Sequence, residues 1–151
     1  MGPFDKTWNG KQYLQCAVDG YSGASFVNFG TTKDKIMSWF MTIVDYMRSI
    51  GTPIKCVRAD NAGKNVNALK ELCNKTGIKL KLTPPGTPQM NGKVEQRQKV
   101  LVGKRLASIH AANLRESTRH MLWNEAVNCA TNVMAITHSR TTRSYPYKTF
   151  N

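Results

Sequence analysis

The stretch Ile54-Lys55-Cys56-Val57-Arg58-Ala59-Asp60-Asn61-Ala62-Gly63 decides how this chain folds. Its β-prone opening, 54–58, reads as a strand that gives way to an acid and a glycine-bearing turn. Helical periodicity lies on both sides. Upstream, over Asp34 to Ser49, Ile36, Phe40, Ile43, Val44 and Met47 recur at three- and four-residue steps, and Gly51 and Pro53 close the helix. Downstream, Val66, Leu69, Leu72 and Cys73 make one apolar face, with Gly77 as the stop. Ile78 to Leu82 then alternates as another strand.

Working outward, Tyr13 to Val18 and Ser25 to Phe29 are β-prone runs joined by the turn Asp19-Gly20-Tyr21-Ser22-Gly23, so they read as a hairpin. A Pro- and Gly-rich loop, Thr83 to Gly92, feeds a long helix from about Lys93 to Ala112. A further helix is expected from His120 to Thr137, and Ser144 to Phe150 is expected to be extended. The order β-β-α-β-α-β-α-α predicts an α/β fold, a mixed sheet flanked by helices, in a single domain over 1–151.

With 151 residues, 40% of them hydrophobic, the chain can bury a substantial core. No apolar run approaches the ~20 residues of a membrane span, and the start, Met1 to Lys6, lacks a secretion-signal pattern, which predicts a cytosolic or nuclear protein. Lys and Arg number 22 against 9 Asp and Glu, a formal +13, and this surplus favours a polyanionic partner. The charge clusters: from Lys93 to Arg115, Glu95 is the only acid among Lys93, Arg97, Lys99, Lys104, Arg105 and Arg115, which points to nucleic acid. Cys16, Cys56, Cys73 and Cys129 form no CxxC pair and share no zinc-finger spacing with His110, His120 and His138. Cys56 and Cys129 sit among apolar neighbours and read as buried small hydrophobes.

Two acids are placed where chemistry could occur. Asp60 stands at the C-terminal end of a strand, where open α/β sheets carry their sites; on this segment alone an Asx-turn or helix-capping role is preferred. Glu95 opens the long helix and falls on the same face as Val102, Leu106 and Ile109, which predicts an inward carboxylate, with Lys93, Arg97 and Lys104 looking outward. An inward carboxylate is costly without a cation beside it, so a metal competes with a helix-dipole role. Carboxylates converging on Mg²⁺ support in-line phosphoryl transfer.

The sequence resembles the catalytic core of copia-type retrotransposon integrases, in the ribonuclease-H-like superfamily shared with retroviral integrases. The resemblance covers nearly the whole chain. It is carried by Gly2-Pro3, Val18-Asp19-Gly20-Tyr21-Ser22, Arg58-Ala59-Asp60-Asn61-Ala62-Gly63, Thr87-Pro88-Gln89-Met90-Asn91-Gly92-Lys93-Val94-Glu95, Leu122-Trp123-Asn124-Glu125-Ala126-Val127 and Ser144-Tyr145-Pro146-Tyr147, in that order and spacing. It implies that Asp60 and Glu95 are two of three carboxylates holding two Mg²⁺ or Mn²⁺ ions, which activate a water or a DNA 3′-hydroxyl and stabilise the leaving oxygen. It also implies trimming of cDNA ends and their joining to target DNA, a homo-oligomer, no membrane, and a location in the nucleus or a cytoplasmic virus-like particle. Gln89 and Asn91, on a mobile loop in the family, become candidate DNA contacts. Lys93, Arg97, Lys99 and Lys104 become candidate phosphate contacts, with Lys99 one turn beyond Glu95 on the same side.

One departure is specific. The family's first aspartate lies on the opening strand, three residues before the Gly-Pro pair, and here that position falls ahead of Met1. The opening strand is therefore expected to be truncated and the triad incomplete. Asp5 is out of register to replace the missing acid, and Asp19 reads as a structural turn residue. Two functions remain open: an integrase core shortened at its start, or a decayed or co-opted domain that binds nucleic acid without cutting it.

Overall fold

A computed structural model of the chain describes residues 1–32, 35–61, 66–84, 92–138 and 143–150, apart from the side chains of 149 and 150. Two compact units emerge, one made of Met1–Lys33 with Lys93–Asn151, the other of Asp34–Gly92.

In the first unit, β1 (Tyr13–Val18) and β2 (Ser25–Gly30) form the predicted antiparallel hairpin, from Tyr13 opposite Gly30 to Val18 opposite Ser25. Met1 lies along the hairpin as well: its ammonium donates to the Leu14 carbonyl at 2.8 Å, and the Leu14 N–H donates to the Met1 carbonyl at 2.9 Å. This exchange is that of an antiparallel pair. The helices are α3 (Gly92–Ala111), α4 (Glu116–Met121), α5 (Trp123–Ala135) and α6 (Pro146–Phe150). Leu14, Ile109, Trp123 and Val127 form the core, with Phe4, Val27, Phe29 and Ala126 against it. Trp123 is its anchor. Its ring meets Phe4 at 4.8 Å and Phe29 edge-on at 5.4 Å, while Nε1 donates to the Asp5 carbonyl at 2.8 Å.

In the second unit, β3 (Cys56–Asp60) pairs in parallel with β4 (Lys79–Thr83), and α1 (Ile36–Ser49) and α2 (Val66–Thr76) accompany them. Val44, Leu69, Cys73 and Ile78 form this core, with Val57, Ala59 and Leu80 packed on it. Gly77, at φ +72°, ends α2, and the Ile78 N–H returns to the Cys73 carbonyl at 2.9 Å. The left-handed glycine and this backward bond are those of a Schellman stop.

Four local expectations are corrected. The strand expected at 54–58 runs two residues later and includes Asp60. The helix expected from His120 to Thr137 is broken at Leu122, because the N-terminal segment binds there: the Trp8 N–H takes the Met121 carbonyl at 3.3 Å, and the Asp5 carboxylate meets His120 Nδ1 at 3.0 Å. The tail is helical, with Pro146 starting α6, where a missing N–H costs nothing. Cys56 and Cys129 are exposed and Cys73 is buried. Strand alternation sends Cys56 to the face opposite Val57 and Ala59. On α5, Cys129 lies about 200° from the buried Val127.

Candidate active site and nucleic-acid interface

Asp60 ends β3, opposite Thr83 of β4. Val57 and Ala59 turn into the core, which leaves Cys56, Arg58 and Asp60 on the exposed face. The parallel pairing makes this the carboxyl end of a parallel sheet, where α/β folds carry ligands. Asp60 thus has the position expected of a site residue, in the second unit.

Glu95 occupies the first turn of α3, in the first unit, and its side chain is exposed. The expected inward face is wrong. The packed line of α3 is Arg97, Leu101, Arg105 and Ile109, at four-residue steps, with Leu101 0% exposed, whereas Leu106 is 44% exposed. Two arginines displace the predicted apolar stripe because their long stems pack, although the buried Arg105 Nε has no hydrogen-bond partner among the described residues. Arg97 Nη2 donates to the Gly23 carbonyl at 2.9 Å and Nη1 approaches Met134 Sδ at 3.7 Å. Arg105 lies over the Phe4 ring, 5.4 Å from its centroid. Among the described residues, the Glu95 carboxylate meets no cation. An exposed glutamate there suits the helix dipole without difficulty, so its orientation alone does not select a metal.

The basic residues divide. Lys93 Nζ donates to the Gly20 carbonyl at 2.9 Å, so Lys93 and Arg97, four residues apart on one helix face, both grip the hairpin turn. Arg97 is half-buried there, a correction to its expected outward position. Lys99 and Lys104 are exposed. Gln89 and Asn91 lie outside the described residues. Asp19 is structural, as expected: its Oδ2 accepts both the Ser22 N–H and the Ser22 hydroxyl at 2.7 Å. Asp5 is engaged with His120 and Trp123.

Burial pushes the Cys16 thiol up to about 11, against the opposing pull of Arg97 and of the chain's N-terminal ammonium. Burial also raises Cys73, with Cys56 adding to the shift, and lowers Arg105 against the pull of Asp5. Among the described residues no three His, Cys, Asp or Glu side chains form a group that could hold a metal ion, and no helix is long and apolar enough to cross a membrane. Sequence reasoning placed the hairpin turn but gave no role to Tyr21, which is 80% exposed. An aromatic at a turn tip, between glycine and serine, was the available signal.

Known proteins share this fold. The fold superposes with a TM-score of 0.65 on the HTLV-2 integrase catalytic core domain in complex with magnesium (trimeric form), over 100% of both chains at 16% identity. It also superposes with a TM-score of 0.71 on the simian T-cell lymphotropic virus intasome in complex with PP2A regulatory subunit B56 gamma, covering 97% of this chain and 50% of that one at 16% identity. In sequence, 132 residues, 85% of the chain, are 31% identical to the Retrovirus-related Pol polyprotein from transposon TNT 1-94 of Nicotiana tabacum. The chain belongs to the integrase catalytic cores of the copia type. This integrase core spans 10% of the length of that polyprotein relative. No family model matches it. The mixed α/β architecture is the integrase-core, ribonuclease-H-like fold.

Proposed function

We propose that the chain is a single catalytic core domain, residues 1–151, of a metal-dependent polynucleotidyl transferase that trims element cDNA ends and joins them to target DNA. The observation that carries this reading is Asp60, a carboxylate at the carboxyl end of a parallel strand pair in a chain of integrase ancestry. Asp60 and Glu95 offer hard oxygen donors, the kind Mg²⁺ and Mn²⁺ select. Bound divalent ions would supply activation of the attacking oxygen and stabilisation of the leaving one. The protein's part is to present the two carboxylates and to place DNA with Lys99, Lys104, Gln89 and Asn91. A homo-oligomer acting in the nucleus or in a cytoplasmic virus-like particle completes the reading.

Titration calorimetry with Mn²⁺ tests it. The chain should bind about one ion weakly, and Asp60→Asn or Glu95→Gln should abolish the binding. Equal binding by parent and variants, or none by the parent, removes the metal site. If DNA binding then persists without Mn²⁺, the chain is a nucleic-acid-binding domain derived from an integrase.

A further inference from the structure

The hairpin turn is built more firmly than a surface turn requires, and it carries an unused aromatic ring. The Asp19 N–H donates to the Ala24 carbonyl at 2.8 Å, the Gly23 N–H to the Asp19 carbonyl at 3.1 Å, and the Ala24 N–H to Ser22 Oγ at 3.0 Å. Ser22 is 1% exposed, while Tyr21 beside it is 80% exposed. The Tyr21 phenol has no partner among the described residues, and its ring adds nothing to the core. Lys93 and Arg97 fix the turn from outside, on the carbonyls of Gly20 and Gly23. The Lys93 ammonium has three donors, one of which is used on Gly20. The turn's one acid, Asp19, is bonded to Ser22.

A solvent-facing ring on a braced turn, with an ammonium held on the carbonyl of the preceding residue, is the recurring chemistry of unpaired-base recognition: the ring stacks, and the cation takes the neighbouring phosphate. Because the backbone that carries the ring is already held, stacking on it orders only the side chain. We propose that Tyr21 is a stacking platform for an unpaired nucleobase of DNA, with Lys93 contacting the adjacent phosphate. The net charge of +13 supplies complementarity to that partner. The proposal rests on the reading of this chain as DNA-binding, and deepens it by assigning the base contact to the hairpin.

The test is fluorescence anisotropy with a labelled blunt duplex and with the same duplex carrying a short single-stranded overhang. Parent, Tyr21→Phe and Tyr21→Ala are compared, with size-exclusion chromatography on each. The parent should prefer the overhang. Tyr21→Ala should lose about tenfold in affinity for it and nothing on the blunt duplex, and Tyr21→Phe should bind like the parent. If Tyr21→Ala matches the parent on both DNAs while Lys99→Ala weakens both, the stacking site is overturned and the DNA reading stands. If Tyr21→Ala changes only the oligomeric state, the ring serves a second copy of the chain and the proposal is overturned. If the parent binds neither DNA, both readings fall together.

Discussion

Replacing Arg97 by methionine keeps an apolar stem on α3 and removes the group that ties the helix to the hairpin. Two contacts disappear, the 2.9 Å bond to the Gly23 carbonyl and the 3.7 Å approach to Met134 Sδ. A hydrogen bond from a charged donor contributes about 1.5–3 kcal/mol. Arg97 is only half-buried, which places the loss at the lower end, about 1.5 kcal/mol. With a urea slope of about 2 kcal/mol/M, the unfolding midpoint should fall by about 0.7 M. A second readout comes from Cys16. Arg97 pulls that thiol down while burial holds it up at about 11, so Arg97→Met should raise it further and slow its alkylation at alkaline pH. Arg97→Lys, which keeps the charge without the planar fork, should restore much of the alkylation rate but not the midpoint. An unchanged midpoint together with an unchanged Cys16 alkylation rate would refute the clamp.

Three further outcomes are expected. The folded chain keeps the Cys16 proton to about pH 11 while the unfolded thiol loses it near 9.0, so the native state holds more protons between these values and stability falls as pH rises through them; in Cys16→Ala this alkaline limb should be flatter in urea titrations. Leu101 is 0% exposed on α3, so Leu101→Ala should lose about 2–5 kcal/mol in denaturant melts, far more than Leu106→Ala at a 44% exposed position on the same helix. Ser22→Ala removes both the hydroxyl bond to Asp19 and the acceptor for the Ala24 N–H, and should cost about 1–3 kcal/mol, with faster amide exchange at Ala24.

The elements with a single dominant signal were legible in the sequence. The hairpin, α1, α2 and the α/β order followed from alternation, from three- and four-residue spacing and from Gly77, all short-range effects of side-chain period and backbone freedom. The errors share another cause. The break at Leu122 comes from Trp8 and Asp5, more than a hundred residues upstream, and no local pattern encodes it. The face of Glu95 was misjudged because arginine was counted as an outward residue, whereas Arg97 and Arg105 occupy the packed line of α3. The position of Asp60 at a strand end was legible because a strand end and a turn are local features. The role of Lys93 was not, since its partner Gly20 lies on a distant turn.

The clamp also has a consequence for how the chain assembles. Lys93 and Arg97 lie 73 and 74 positions from the carbonyls they hold, and the whole of Asp34–Gly92 lies between. As the chain leaves the ribosome, the hairpin appears first and waits, its turn unsecured, while a contiguous second unit emerges and can collapse on its own contacts. Only when α3 follows can the first unit close. Long-range closure of this kind is slow relative to local folding, so the order of synthesis makes the uninterrupted unit the earlier one to fold and leaves the hairpin edge exposed in the interval.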